Sequence, residues 1–143
     1  QPAEPADPPP VLLEGLGVAP VYTGRNKDDY IVEISDESTL YGLKPDFSCL
    51  NQVDARGIIV TARSAGEYDF VSRFFAPKVG IPEDPVTGSA HCCLAPYWHG
   101  VLGRDSFHAY QASARGGELW LRLGDGRIYI RGNAVTVYTG EMA

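Results

Sequence analysis

The sequence predicts an α+β protein: a curled, antiparallel, barrel-like β-sheet wrapped around one central buried helix. Three observations lead there. The segment Gly80–Gly103 reads GIPEDPVTGSAHCCLAPYWHGVLG. Past Thr87-Gly88-Ser89 it is apolar on nearly every side, through Ala90, Cys92, Cys93, Leu94, Ala95, Tyr97, Trp98, Val101 and Leu102. A helix apolar all round is a buried helix, and about 14 residues fall short of the ~20 that span a bilayer. The rest of the chain is a series of short strand-like runs divided by turn signals, and a lone buried helix needs sheet around most of it. Finally, 143 residues of 44% hydrophobic composition fit one domain with a sizeable core.

Taken in order, residues 1–10, QPAEPADPPP, carry five prolines and read as an extended linker. With neither Met nor a signal-peptide core at Gln1, that linker reads as following a segment before it. Residues 11–143 read as the single folded unit. Val11–Leu16 is a short helix between Pro10 and Gly17. Val18–Tyr22 and Asp29–Ile34 form a hairpin about a Gly24–Lys27 turn. Ser35 or Asp36 caps a helix over Glu37–Tyr41, and Lys44-Pro45-Asp46 restarts one over Phe47–Gln52. Gly57–Thr61, GIIVT, is a well-buried strand. Tyr68–Ala76 is the longest strand candidate.

After the long helix, with Pro96 expected to kink it and Gly103 to end it, come strands at Phe107–Gln111, Leu119–Leu123 and Ile128–Arg131. Arg115-Gly116-Gly117 and Asp125-Gly126 are the intervening turns. Ala134–Tyr138 closes the chain.

The bulk properties exclude several classes. Net charge is −6 and the twelve basic residues are scattered, so nucleic acid is not an expected partner. No run suits a transmembrane span or a polybasic membrane patch. An odd count of cysteines (Cys49, Cys92, Cys93), two of them adjacent, argues against a disulfide framework and for a reducing, cytoplasmic setting. No His or Cys pair stands at a ligand spacing, so no metal site is expected, and the phosphate-loop patterns GxxxxGK and GxGxxG are absent.

The chemistry concentrates at the start of the long helix. Thr87 or Ser89 can cap it, Gly88 leaves the backbone open to a ligand, and the free N–H groups make an anion site. Asp84 just upstream can bind a substrate hydroxyl or amine, or shuttle a proton. Because capping is common, Asp84 and Glu83 read first as simple complements to the helix dipole. Cys92 and Cys93 read as packing. His91 is near the site but reads first as a structural hydrogen-bonder, and Arg115 reads first as part of its turn.

The run Phe74–Trp98, FFAPKVGIPEDPVTGSAHCCLAPYW, resembles the phenazine-biosynthesis isomerase-like (PhzF-like) family, and so do QASARGGEL at Gln111–Leu119 and RGNAVT at Arg131–Thr136. The resemblance implies one lobe of a diaminopimelate-epimerase-like fold, whose members have two similar halves with the active site in the cleft between them. It implies isomerisation by proton transfer on a small carboxylated substrate, best known for a dihydro-hydroxyanthranilate, without metal or organic cofactor.

On that resemblance Asp84 carries the family's acidic role, Ser89 its substrate-binding serine and Gly88 backbone donors beside it. The related racemases have a cysteine near the position of Asp84, so a two-thiol mechanism is disfavoured. The family's general-base glutamate and a facing glycine-histidine element lie in the amino-terminal half, which has no counterpart here. Whether this chain alone is an enzyme therefore stays open. The expectations are an incomplete lobe that needs a second lobe, a self-pairing homodimer in which Glu83 or Asp84 acts as base, or a non-catalytic module for small anions or proteins.

Overall fold

Local signals set most of the elements. The computed structural model describes residues 2–137 and 139–141. Pro10 opens helix α1 (Pro10–Leu16), and Gly17 closes it in the left-handed region at φ 68°. Asp36 caps α2 (Glu37–Gly42) by accepting from the Thr39 N–H at 2.7 Å, and Asp46 caps α3 (Phe47–Leu50) through Ser48 and Cys49. Helix α4 (Gly88–Leu102) ends at Gly103, φ 66°, whose N–H donates to the His99 carbonyl at 2.8 Å.

Among the described residues eight strands complete the fold: β1 (Glu4–Pro5), β2 (Tyr22–Arg25), β3 (Asp29–Glu33), β4 (Gly57–Arg63), β5 (Phe70–Phe75), β6 (Ser106–Gln111), β7 (Gly117–Gly124) and β8 (Arg127–Gly132). They form one curled sheet in chain order, β1 to β8. The Asp125-Gly126 turn has both residues at positive φ, 53° and 70°, as a tight two-residue hairpin requires.

The expectation of an antiparallel sheet needs correcting, because the sheet is mixed. β3–β4 and β5–β6 are parallel and the remaining pairs antiparallel. The cause is connection length. Parallel neighbours need a crossover of a dozen or more residues. The chain supplies one through α2 and α3 between β3 and β4, and another through α4 between β5 and β6.

The two crossovers also place the helices. α4 packs on one face of the sheet against Ile31, Ile59, Phe70, Phe107 and Leu121, which come from β3 through β7. Leu12, Leu40 and Leu50 of α1, α2 and α3 cover the other face at Val32, Val60, Val71 and Phe75. The central strands are thus buried on both faces, which explains why GIIVT is uncharged and why its one polar side chain, Thr61, is satisfied by the Val71 carbonyl and Trp98 Nε1.

Other differences have local causes. The first hairpin turns at Asn26, whose Oδ1 accepts from the N–H groups of Asp28 and Asp29 at 2.8 and 2.7 Å. This Asx turn moves its first strand from the expected 18–22 to Tyr22–Arg25. Within the expected linker, Glu4 and Pro5 pair with Arg25 and Gly24 as an edge strand, the position in a sheet that tolerates proline. The expected closing strand is absent at 134–137, and Tyr138 lies outside the described residues.

Helix α4 is not covered all round. Ala90, His91, Cys93, Leu94, Ala95 and Trp98 are buried, but Cys92 and Pro96 are half-buried and Gly88, Ser89, His99, Gly100 and Val101 are exposed. The curl stops short of closing on this stripe. Pro96 lies inside α4, and the helix runs continuously through it. The hydrogen bond it omits is the one to the Cys92 carbonyl four residues back, on the open side.

Candidate functional site

The entrance to α4 is a pinned loop. Ala76 and Ile81 exchange backbone hydrogen bonds at 3.0 and 3.1 Å, folding the loop back on the end of β5. The Asp84 N–H then donates to the Phe74 carbonyl at 3.0 Å. Gln111, fully buried at the end of β6, holds the last residues before the helix. Its Oε1 accepts from the Thr87 N–H at 2.7 Å, and its Nε2 donates to the Asp84 carbonyl at 2.7 Å and to Thr87 Oγ1 at 3.1 Å. Ser113 Oγ donates to the Pro85 carbonyl at 2.9 Å and accepts from the Gly116 N–H, which staples the β6–β7 turn to the same loop.

Thr87 occupies the N-cap position, yet no side chain among the described residues caps the helix. The Thr87 hydroxyl donates instead to Asp84 Oδ2 at 2.5 Å. The expectation that Thr87 or Ser89 caps α4 through its side chain is therefore corrected. The Thr87 hydroxyl gives its hydrogen to the Asp84 carboxylate three residues away, a charge-assisted bond, and its oxygen accepts from Gln111 Nε2 at 3.1 Å, so it is held away from the helix N–H groups. The uncapped first turn keeps its N–H groups and the positive end of the helix dipole for another acceptor. Gly88 and Ser89 are exposed there, and a Cβ on Gly88 would meet no atom of the described residues within 4 Å. Neither packing nor a positive φ requires glycine at that position.

Asp84, Thr87, Gly88 and Ser89 therefore share one entrance. The weaker candidates divide. Arg115 is exposed and lines, with Gly88, Val86, Tyr110 and Glu118, a cleft of about 840 Å³. Its turn is built for close approach. Gly116 sits at φ 71°, and a Cβ on Gly117 would lie 2.3 Å from Val86 Cγ2.

Glu83 points elsewhere. It forms a bidentate pair with Arg73 of β5, at 2.7 and 3.0 Å, on the α2 side of the sheet. Arg73 also donates to the carbonyls of Leu40 and Leu43. His91 is fully buried, with Nδ1 2.8 Å from the Thr87 carbonyl and Nε2 without a partner among the described residues. Burial pushes its pKa down to about 4, so the ring is neutral and Nδ1 is the donor.

Arg56, just before β4, was not singled out from the sequence. Its Nε and Nη2 grip both oxygens of Asp29 at 3.0 and 2.5 Å, and Nη2 also reaches Ser89 Oγ at 3.3 Å. The Asp29 side chain is 2% exposed and that of Arg56 41%. The available signal was an acid at the start of one strand and an arginine at the start of another. Only the parallel register, Asp29 opposite Gly57, makes them neighbours. Among the described residues no group of three or more His, Cys, Asp or Glu could hold a metal ion.

The sequence and the fold match those of a known family. The family model of the phenazine biosynthesis-like proteins matches residues 14–140. A protein of Halalkalibacterium halodurans named an uncharacterized isomerase is 55% identical over 135 residues, which are 94% of this chain and 51% of that protein. A human phenazine biosynthesis-like domain-containing protein is 45% identical over 125 residues, covering 78% of this chain and 43% of its own length. The crystal structure of a PhzF-family protein from Enterococcus faecalis superposes with a TM-score of 0.84 at 37% identity, over 94% of this chain and 53% of that one. The chain belongs to the phenazine biosynthesis-like (PhzF) protein family. It spans about half the length of the curated relatives it matches.

Proposed function

We propose that this chain is one lobe of a cofactor-independent, PhzF-type isomerase with a diaminopimelate-epimerase-like fold, moving a proton on a small carboxylated substrate. The observation that carries the reading is the uncapped start of α4. Asp84 is held by the Thr87 hydroxyl and Ser89 lies beside the open backbone of Gly88. The first-turn N–H groups and the Ser89 hydroxyl bind the substrate carboxylate. Asp84 accepts a hydrogen bond from a substrate hydroxyl or amine and steers the proton. The general base comes from a second lobe across the cleft.

Glu83 is less suited to that base role, since Arg73 already occupies both its oxygens. The isomerase names of relatives support the reaction class. The free cysteines fit a reducing, cytoplasmic setting, and no described helix is long and apolar enough to cross a membrane.

The test is solvent-deuterium incorporation into a dihydro-hydroxyanthranilate, followed by NMR. Exchange is expected with the intact native protein and lost in Asp84→Asn. Residues 1–143 alone should exchange at most weakly. Robust turnover by residues 1–143 alone would refute the incomplete-lobe reading.

A second reading is a homodimer in which another copy covers the open face. Val135 and Val137, 87% and 93% exposed, line the same cleft as Gly88, and a partner covering that cleft would remove them from water. Light scattering at high concentration decides it, and a strictly monomeric species removes it.

A further inference from the structure

Arg56 gives the entrance a feature that helix geometry alone lacks. Its guanidinium is clamped by Asp29, and Asp29 is held at a strand start where Asn26 Oδ1 accepts its N–H at 2.7 Å. Gly57 preserves the clamp, since a Cβ there would lie 2.2 Å from Phe74 Cζ and 3.2 Å from Asp29 Oδ1. One Nη2 hydrogen goes to Asp29 and the second points to Ser89 Oγ at 3.3 Å. A guanidinium only donates, and a hydroxyl has one hydrogen to give. With one Oγ lone pair taken by Arg56, the Ser89 O–H is turned outward as a donor.

We infer that Arg56 is a positioning residue that fixes Ser89 as a hydrogen-bond donor, so that the entrance selects an acceptor-only carboxylate over the matching carboxamide. The inference rests on reading the helix entrance as a carboxylate site. Apart from Asp84, which takes the substrate's hydroxyl or amine in that reading, the polar groups around Ser89 then donate: the first-turn N–H groups, the Ser89 hydroxyl and the outer edge of Arg56. A carboxylate accepts from all of them, whereas an amide NH₂ faces donors with a donor. Asp29 cancels most of the guanidinium charge, so Arg56 acts through hydrogen-bond direction more than through bulk attraction.

The experiment titrates the intact native protein with anthranilate and with anthranilamide, by calorimetry or NMR. Wild type is expected to prefer the acid. Ser89→Ala and Arg56→Gln should each weaken anthranilate about tenfold, as loss of one charge-assisted hydrogen bond does, and leave anthranilamide within about twofold. The double variant should be no weaker than either single one, because both remove the same oriented hydroxyl.

Arg56→Gln strands a buried carboxylate, so Asp29→Asn combined with Arg56→Gln restores neutrality. This pair should fold stably and still lack the acid preference. Wild-type anthranilate binding by that pair would reduce Arg56 to a structural partner of Asp29 and overturn the inference. So would additive losses in the double variant, or a normal acid preference in Arg56→Gln while Ser89→Ala loses it. Unchanged binding in Ser89→Ala, or no binding of anthranilate to wild type, would instead overturn the carboxylate-site reading, and the inference with it.

Discussion

Gln111 is the keystone of the entrance, and replacing it by leucine tests that directly. Leucine has nearly the same volume and suits burial, so no cavity term enters. What changes is polar. The Thr87 N–H, the Asp84 carbonyl and Thr87 Oγ1 lose partners at 2.7, 2.7 and 3.1 Å. Thr87 is only 8% exposed, so water cannot replace the bond to its N–H. A stranded buried donor costs about 1–3 kcal/mol, and each of the other bonds contributes about 1 kcal/mol net. The gain from burying leucine in place of an amide offsets about 1 kcal/mol of that.

The expected loss is therefore about 3 kcal/mol, which lowers Tm by roughly 10 °C in a chain of this size. Urea unfolding gives the free energy, and amide hydrogen exchange at Thr87 should accelerate with it. A loss below about 0.5 kcal/mol, as for an ordinary surface change, would show that Gln111 does not organise the loop and refute this account.

Other expectations follow from the same geometry. Gly88→Ala should leave stability within about 0.5 kcal/mol, because the added methyl meets nothing and Ala suits a helix. It should nevertheless abolish anthranilate binding in a titration, because the methyl enters the space beside the helix N–H groups. His91 should give stability a pH slope. Its folded pKa of about 4 lies below the unfolded value of 6.5, so the unfolded chain binds the extra proton. Stability is thus fully present above 6.5 and falls as pH drops towards 4, by up to about 1.4 kcal/mol per unit. Urea midpoints measured across that range should show the slope in wild type and lack it in His91→Asn. Arg73→Met should destabilise by about 3 kcal/mol in urea unfolding, since it strands Glu83 in a partly buried site. The further substitution Glu83→Gln should recover part of that loss.

Much of this molecule was legible in the sequence because its punctuation is local. Gly17, Gly103, Asp36, Asp46 and Asp125-Gly126 act on their immediate neighbours, and each behaves as its residue type dictates. The EDPVTGS block was equally readable, being a contiguous motif. What could not be read was long-range. Parallel pairing of β3 with β4 leaves no local mark, so Asp29 and Arg56, twenty-seven residues apart, could not be matched. The Thr87 hydroxyl had two possible partners, the helix N–H groups as donors and Asp84 as acceptor, and only the folded loop decides which it meets. The shifted first hairpin came from a side chain: Asn26 makes the turn at the end of the Gly24–Lys27 run, so Gly24 and Arg25 belong to the strand. The open stripe of α4 could not be seen either, since apolar composition shows what can be buried and not how far a sheet extends.

The sheet runs in chain order from β1 to β8, and this has a consequence for assembly. Each strand finds its partner in the strand made just before it, across a turn or across one helical crossover. Helix α4 is synthesised between β5 and β6. It can settle on β3, β4 and β5 before the last three strands exist. Those strands then add to a growing edge and bring Gln111 and the Arg115 turn against a loop already in place. The entrance is thus the seam where the early and late parts of the chain meet. Faults in either part should register there first, as lost ligand binding, before the fold itself fails.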